Sequence, residues 1–135
     1  MSHHAEGSFD VKTIPMPPDE VTAGIGIGRF TLDKQYHGPL QGTAKGEMLT
    51  SGSPESGTAG YVAMEEVSGS LDGRHGSFAL QHWGTMRDGK FELRVEVVPG
   101  SGLGELAGIA GTLTITIAPG GKHSYALDYT LPTAK

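Results

Sequence analysis

The 135 residues include no cysteine, which excludes both disulfide cross-links and metal sites built from thiolates. The chain also lacks a basic run, and its formal net charge is −5. A nucleic-acid partner requires a positive surface that displaces counterions, so none is expected. No apolar stretch approaches the length that spans a bilayer, so we expect no membrane partner either.

The N-terminus has no basic region followed by an apolar stretch, so a secretory signal is not predicted. We therefore expect a cytoplasmic protein whose residues 1–7 form a flexible N-terminus. The length corresponds to one domain, and we predict a single domain over residues 1–135.

Glycine is abundant, with 22 residues, and no segment shows the periodicity of a helix. Apolar and polar residues alternate instead, in short segments separated by Gly, Pro and Asp-Gly, which is typical of β-strands. The predicted strands cover residues 8–12, 23–36, 43–50, 60–71, 76–86, 90–97, 112–117 and 125–131.

Two Asp-Gly pairs, Asp72-Gly73 and Asp88-Gly89, are the strongest turn signals, because aspartate followed by glycine favours two-residue hairpin loops. The first turn sets His82 opposite Ala63, and the second sets it opposite Val95. Both hairpins therefore predict that His82 lies on the buried face of the strand they share.

Two other features bear on register. The apolar residues of segment 23–36 change parity near Gly28-Arg29, which predicts a β-bulge there. In the last hairpin, a three-residue loop of Gly120-Gly121-Lys122 brings Ile117 opposite Tyr125 and keeps the apolar faces of both strands on one side.

About eight short strands joined by hairpins suit a closed antiparallel β-barrel or, as the alternative, a β-sandwich. Glycines inside the strands favour the barrel, because bent strands need them. The interior of such a barrel is just wide enough for side chains or one small ligand. The glycines concerned are Gly24, Gly26, Gly28, Gly46 and Gly84.

His82 is the first candidate for a functional role because it shares an apolar face with a carboxylate. The predicted pairing places Glu65 diagonally across from it, roughly 7–8 Å away. A three-residue turn at Asp72 would give that place to Glu66. Such a pair can act as acid and base, anchor a ligand, or only set the register of a filled core. Tyr61 and Tyr129 have the parity to join this interior.

The remaining candidates have the opposite parity, which predicts that they lie on the outer faces of their strands. Glu47 is outside by parity, and a slipped strand would add it to the ligand-binding set. Trp83 is also predicted outside, near Val62, Met64 and Arg94. This patch predicts either a subunit contact of a homo-oligomer, dimer or trimer, or a tryptophan packed under the arginine side chain.

Residues 102–107 spell a dinucleotide-binding fingerprint, but too few residues precede the next strand to form the helix that binds the pyrophosphate. The histidines lack the fixed spacing of metal ligands. We therefore expect neither a cofactor nor a metal.

Six segments between residues 46 and 129 form a characteristic set. They are GEML at 46–49, AGYVAME at 59–65, GSLDGRHGSFALQH at 69–82, VVPGSGLGELAG at 97–108, HSY at 123–125 and DY at 128–129. In combination they resemble a bacterial family known only as domain of unknown function 3224. Leu103 departs from the pattern, since most members are expected to carry threonine there.

The loop at 100–111 is also similar, more distantly, to the Gly-Thr-Gly loop of plant allene oxide cyclases and dirigent proteins. That resemblance implies an eight-stranded barrel, often trimeric, that steers reactive small molecules within its cavity. It does not carry over their reactions, because a fold hosts many functions.

The leading hypothesis is an uncharacterised small-molecule-binding barrel with a partly apolar interior pocket, in which His82 and Glu65 are the polar anchors. The second is an isomerase or cyclase-like enzyme that uses the same residues. The third is an oligomeric structural or interaction protein with a filled core. The sequence names no ligand and leaves open whether any reaction is catalysed.

Overall fold

The computed structural model describes residues 2–132, which form an all-β structure. A 3₁₀ turn at Pro54–Ser56 is the one helical segment in this range, and no helix there is long enough to cross a membrane. The strands are β1 (Ser2–Met16), β2 (Ile27–His37), β3 (Leu40–Ser53), β4 (Thr58–Leu71), β5 (Arg74–Arg87), β6 (Lys90–Val97), β7 (Leu103–Gly104), β8 (Ala110–Ile117) and β9 (His123–Thr130).

Eight of these strands close into an antiparallel barrel, which confirms the predicted barrel over the sandwich. The order around the wall is β1-β2-β3-β4-β5-β6-β8-β9, and β9 returns to β1. The short strand β7 adds to β5 at Gly76 and Ser77. Closure pairs most of the strand edges, which are the usual liability of an antiparallel sheet.

Both Asp-Gly hairpins have the predicted register. His82 of β5 lies opposite Ala63 of β4 and opposite Val95 of β6. Asp72 and Asp88 adopt φ values of 50° and 51°, the left-handed conformation that a two-residue turn of this kind requires. The buried face of β5 was therefore correctly predicted.

The predicted bulge at Gly28-Arg29 is wrong. The pairs of β2 with β3 run without interruption from Ile27 to Tyr36. A bulge would bury the residues before Gly28 together with those after it, but Ile25 and Ile27 are exposed. The change of parity therefore marks the start of the strand.

The last hairpin has a loop of the predicted length that begins one residue earlier than predicted. The Ala118 amide donates to the Lys122 carbonyl, so the loop is residues 119–121. Proline has no amide hydrogen to contribute to a ladder, which suits it to the first loop position. Ile117 consequently lies opposite His123, and Ile115 lies opposite Tyr125, so the two apolar faces still match.

The expectation of a flexible N-terminus over residues 1–7 is also wrong for the residues described. Residues 2–7 belong to β1 and pair with β9, and Ala5 is buried opposite Leu127. Met1 lies outside the described residues.

One end of the barrel, the closed end, is filled by side chains. The segment between β6 and β8 folds across it and buries Leu106 and Ile109. The Tyr125 hydroxyl accepts a hydrogen bond from the Leu40 amide at 3.1 Å and donates to the His37 carbonyl at 3.0 Å. These two hydrogen bonds tie the β2–β3 turn to β9.

The opposite end, the mouth, is open. The strands β6 and β8 pair only at Val95 with Leu113 and at Glu96 with Thr112 within the described chain. Toward the mouth the two strands separate, so that Phe91 and Ile117 are exposed although each belongs to an apolar strand face. The wall therefore widens at this end.

Candidate functional site

A group of four buried polar side chains, the interior cluster, lies across the middle of the barrel. Its centre is Glu65 of β4, which is 1% exposed. Oε2 of Glu65 lies 2.7 Å from Lys34 Nζ and 3.1 Å from His82 Nε2. Its other oxygen, Oε1, accepts a hydrogen bond of 2.6 Å from the Tyr36 hydroxyl. Glu65 thus joins β2, β4 and β5.

The carboxyl of Glu65 is ionised despite its burial. Burial alone raises a carboxyl pKa, but the hydrogen bond from His82 and the positive charge of Lys34 outweigh it, and the pKa of Glu65 is lowered to about 2. Burial, with the adjacent Glu65 charge, raises the pKa of Tyr36 well above its usual value, so this phenol stays a donor. The Lys34 ammonium also lies 4.9 Å from the centre of the Phe9 ring.

His82 has one nitrogen engaged and one free. Because ionised Glu65 can only accept, Nε2 of His82 must carry the proton in this bond. Nδ1 has no hydrogen-bond partner, whereas every fully buried side-chain nitrogen or oxygen in the described part of the chain has one. Nδ1 therefore retains accessible surface, and since the ring points inward, that surface faces the barrel interior.

Two glycines make room around these groups. A Cβ on Gly84 would lie about 2.5 Å from the Tyr61 ring, which packs over this position from the paired strand. A Cβ on Gly46 would overlap the backbone carbonyl of Met64, beside Glu65. Larger residues there would displace either Tyr61 or the strand that carries Glu65.

Two connected cavities lead from the mouth to the interior cluster. The mouth cavity has a volume of about 630 Å³ and the deep cavity below it about 180 Å³. They share four lining residues: Met48, Tyr61, Phe91 and Ile117. The wall of the deep cavity is mostly apolar, and its polar groups include Lys34 and His82. The arrangement can accept an apolar molecule that ends in a polar group.

Three of the five predicted ligand-binding residues lie together in this interior. Glu65 and His82 form the predicted pair, and Tyr61 lines both cavities with its ring centre 6.4 Å from that of His82. Burial and the Glu65 charge raise the pKa of Tyr61 to about 12. Glu66, the alternative partner, is exposed.

The other two predicted ligand-binding residues lie elsewhere. Tyr129 is buried at the closed end, where its hydroxyl donates to Asp72 and its ring stacks on His3. Glu47 is on the outside of the barrel, where it forms an ion pair of 2.6 Å with Arg29. The slip that would have turned Glu47 inward does not occur, because β3 pairs in one continuous register with β2 and β4.

The predicted interface residues share the outer face of β4, β5 and β6. Trp83 lies opposite Val62 and opposite Arg94, and Met64 is exposed on the same face. Arg94 pairs with Glu96. An outer groove of about 780 Å³ runs along Trp83 toward Met16 and Ile27. A subunit contact here stays a prediction, which sedimentation at high protein concentration checks.

Sequence reasoning missed Lys34 and Tyr36, two of the four members of the interior cluster. A signal was present, because both share parity with Phe30 and Leu32 on the apolar face of β2. A lysine at such a position needs a buried anion, and Glu65 is that partner. No group of three or more potential metal ligands occurs within residues 2–132.

The family resemblance is confirmed by comparison with known proteins. The sequence profile described as "Protein of unknown function (DUF3224)" matches residues 5–129. The chain is also similar to a crystal structure of a protein with unknown function from the DUF3224 family of Shewanella oneidensis MR-1. The two are 43% identical with a TM-score of 0.88, over 99% of this chain and 100% of that one. Among curated proteins, none matches.

Proposed function

This chain belongs to the DUF3224 family of proteins of unknown function, and we propose that it binds a small, mostly apolar molecule inside the barrel. The ligand enters at the mouth, fills the two cavities and ends against the interior cluster. The observation that carries the proposal is the empty apolar space directly above an inward-facing, unpaired imidazole nitrogen.

The dimensions support a ligand of modest size. Small-molecule sites commonly occupy about 300–1,000 Å³ and combine apolar walls with a few polar groups. The mouth cavity, about 630 Å³, falls within this range, and the deep cavity, about 180 Å³, extends it toward His82. A core filled for stability alone would leave few voids larger than a water molecule.

The test is saturable binding of N-phenyl-1-naphthylamine, a neutral dye whose fluorescence rises in apolar surroundings. Ala63 and Met64 are neighbours on β4 that face opposite sides of the wall. We expect Ala63→Phe to fill the deep cavity and weaken dye binding by about ten-fold or more, since overpacked sites lose the space a ligand needs. Met64→Phe, on the outside, is the matched control and should leave the affinity unchanged.

Two outcomes contradict the proposal. The first is that the wild-type protein does not bind the dye saturably. Alternatively, Met64→Phe weakens binding while Ala63→Phe does not, which would place the dye in the outer groove instead of the interior.

One observation favours a second function, proton abstraction. Glu65 orients His82 through Nε2 and leaves Nδ1 free, the relation of an orienting carboxylate to a general base. The test substrate is a nitrobenzisoxazole, which opens when a base removes its ring C–H proton and the N–O bond breaks to give a phenolate. We expect turnover that His82→Gln abolishes and that the exposed His75→Gln retains. Equal rates for both variants would refute this function.

A further inference from the structure

We propose that the polar end of the ligand is a neutral hydroxyl that donates its hydrogen bond to His82 Nδ1, and that carboxylates are rejected. This inference deepens the proposed function and rests on it. The ligand class is therefore an alcohol or phenol with an apolar body.

The charge balance of the interior cluster is the first support. Lys34 is positive, Glu65 is negative, and their atoms are 2.7 Å apart, so the pair has no net charge to offer an incoming ion. Tyr36 already donates to the same carboxylate. A ligand carboxylate in the deep cavity would lose its hydration without gaining a free counter-charge, which disfavours its binding in an apolar site.

The free hydrogen-bonding capacity is the second support. With Nε2 protonated and bound to Glu65, the lone pair of Nδ1 is an acceptor that faces the cavity. Tyr61 lines the same space, and its hydroxyl has no hydrogen-bond partner among the described residues. A hydroxyl both donates and accepts, so it can satisfy Nδ1 and take a bond from Tyr61. A carboxylate has no hydrogen to give to Nδ1.

The remaining polar group of the deep cavity is His123, whose ring packs 5.1 Å from that of Phe9. It lies on β9 opposite Ile117, toward the mouth, and contacts the ligand body instead of its polar end. The selectivity is therefore assigned to His82.

The experiment measures displacement of N-phenyl-1-naphthylamine from the wild-type protein by three ligands of similar size: 1-octanol, 1-methoxyheptane and octanoate. The ether is an isomer of the alcohol that lacks the hydrogen-bond donor. We expect octanol to displace the dye at about one-fifth of the ether concentration or less, a difference typical of one hydrogen bond to a buried acceptor. Octanoate should be at least about ten-fold weaker than octanol at neutral pH.

His82→Phe removes the acceptor and should abolish the preference for octanol over the ether while dye binding persists. His82→Gln, which keeps an acceptor oxygen, should retain part of it. Glu66→Gln, outside the barrel, serves as the unchanged control.

The outcomes separate the two proposals. If the wild-type protein does not bind the dye, the proposed function fails and this inference fails with it. If the dye binds but octanoate competes as well as octanol, or the ether does, or none of the three competes, only the hydroxyl assignment is overturned.

Discussion

The two ends of this barrel are made from the same strands yet differ in how their inward side chains are packed. At the closed end, inward side chains such as Leu71 and Leu106 are fully buried, and the segment between β6 and β8 covers them. At the mouth, inward side chains such as Phe91, which is 52% exposed, border a cavity of about 630 Å³. This difference shows that the packed core lies at the closed end, whereas the mouth leaves the space in which we propose that a ligand binds.

The interior cluster separates the two ends. It is polar and buried, and it lies below the deep cavity and above the tyrosines of the closed end. Substitutions at, above and below the interior cluster test whether residues of the closed end determine stability and residues of the mouth determine binding.

The largest expected effect is that of Glu65→Ala. This substitution leaves the Lys34 ammonium buried without a counter-ion and removes the acceptor of Tyr36 and His82. We expect a loss of about 3–5 kcal/mol in the free energy of unfolding, measured by urea denaturation. Glu66→Ala, the exposed neighbour, should cost no more than about 0.5 kcal/mol. Equal losses would show that the cluster does not hold the strands together.

Leu71→Ala and Phe91→Ala compare the two ends directly. Leu71 is fully buried at the closed end, so its truncation leaves a cavity and should cost about 2–5 kcal/mol. Phe91 stacks on Tyr61 at the mouth and is half exposed, so its truncation should cost about 1 kcal/mol or less. Urea unfolding of both variants measures the two losses in the free energy of unfolding. A larger loss for Phe91→Ala than for Leu71→Ala would contradict the assignment of stability to the closed end.

Low pH should reduce the free energy of unfolding of the barrel, because Glu65 becomes protonated. The folded-state pKa of Glu65, about 2, lies below its ordinary value of 4.5, so the unfolded chain binds the proton first as the pH falls. The stabilisation is complete above about pH 5 and is lost between there and pH 2, by about 3 kcal/mol.

The control for this acid effect is the double variant Lys34→Met/Glu65→Gln, which lacks the buried charges that face each other. His82 and Tyr36 remain in place in that variant. The difference between the unfolding free energies of the two proteins should shrink toward pH 2. Parallel pH profiles would show that Glu65 is not held ionised in the folded state.

Tyr125→Phe and Tyr61→Phe give the smallest and most specific comparison. The Tyr125 hydroxyl bonds the Leu40 amide and the His37 carbonyl, so its loss leaves a buried donor unpaired and should cost about 1–2 kcal/mol. The Tyr61 hydroxyl has no partner among the described residues, and its loss should leave stability unchanged while weakening octanol binding. Thermal unfolding and dye displacement report the two effects separately.

Local signals made most of the fold predictable from the sequence. Alternation of apolar residues placed the eight wall strands, and the two Asp-Gly turns set the register that brings His82 and Glu65 together. The errors occurred where local pattern does not determine pairing. β1 extends to Ser2 because β9 is there to pair with it, and β7 exists because the 98–109 segment folds back against β5.

The candidate site was predictable only in part. The hairpins of β4, β5 and β6 are consecutive in sequence, so the His82–Glu65 pair followed from turn geometry. Lys34 and Tyr36 approach from β2, which reaches Glu65 only across β3, and no turn signal specifies that contact. The size of the mouth depends on the separation of β6 and β8, which is a property of the whole barrel.

The most direct measurement is a crystal structure of the wild-type protein with 1-octanol at saturating concentration. We expect ligand density that runs from the mouth into the deep cavity, with its oxygen within hydrogen-bond distance of His82 Nδ1. Density confined to the outer groove beside Trp83, or an interior left empty under these conditions, would contradict it.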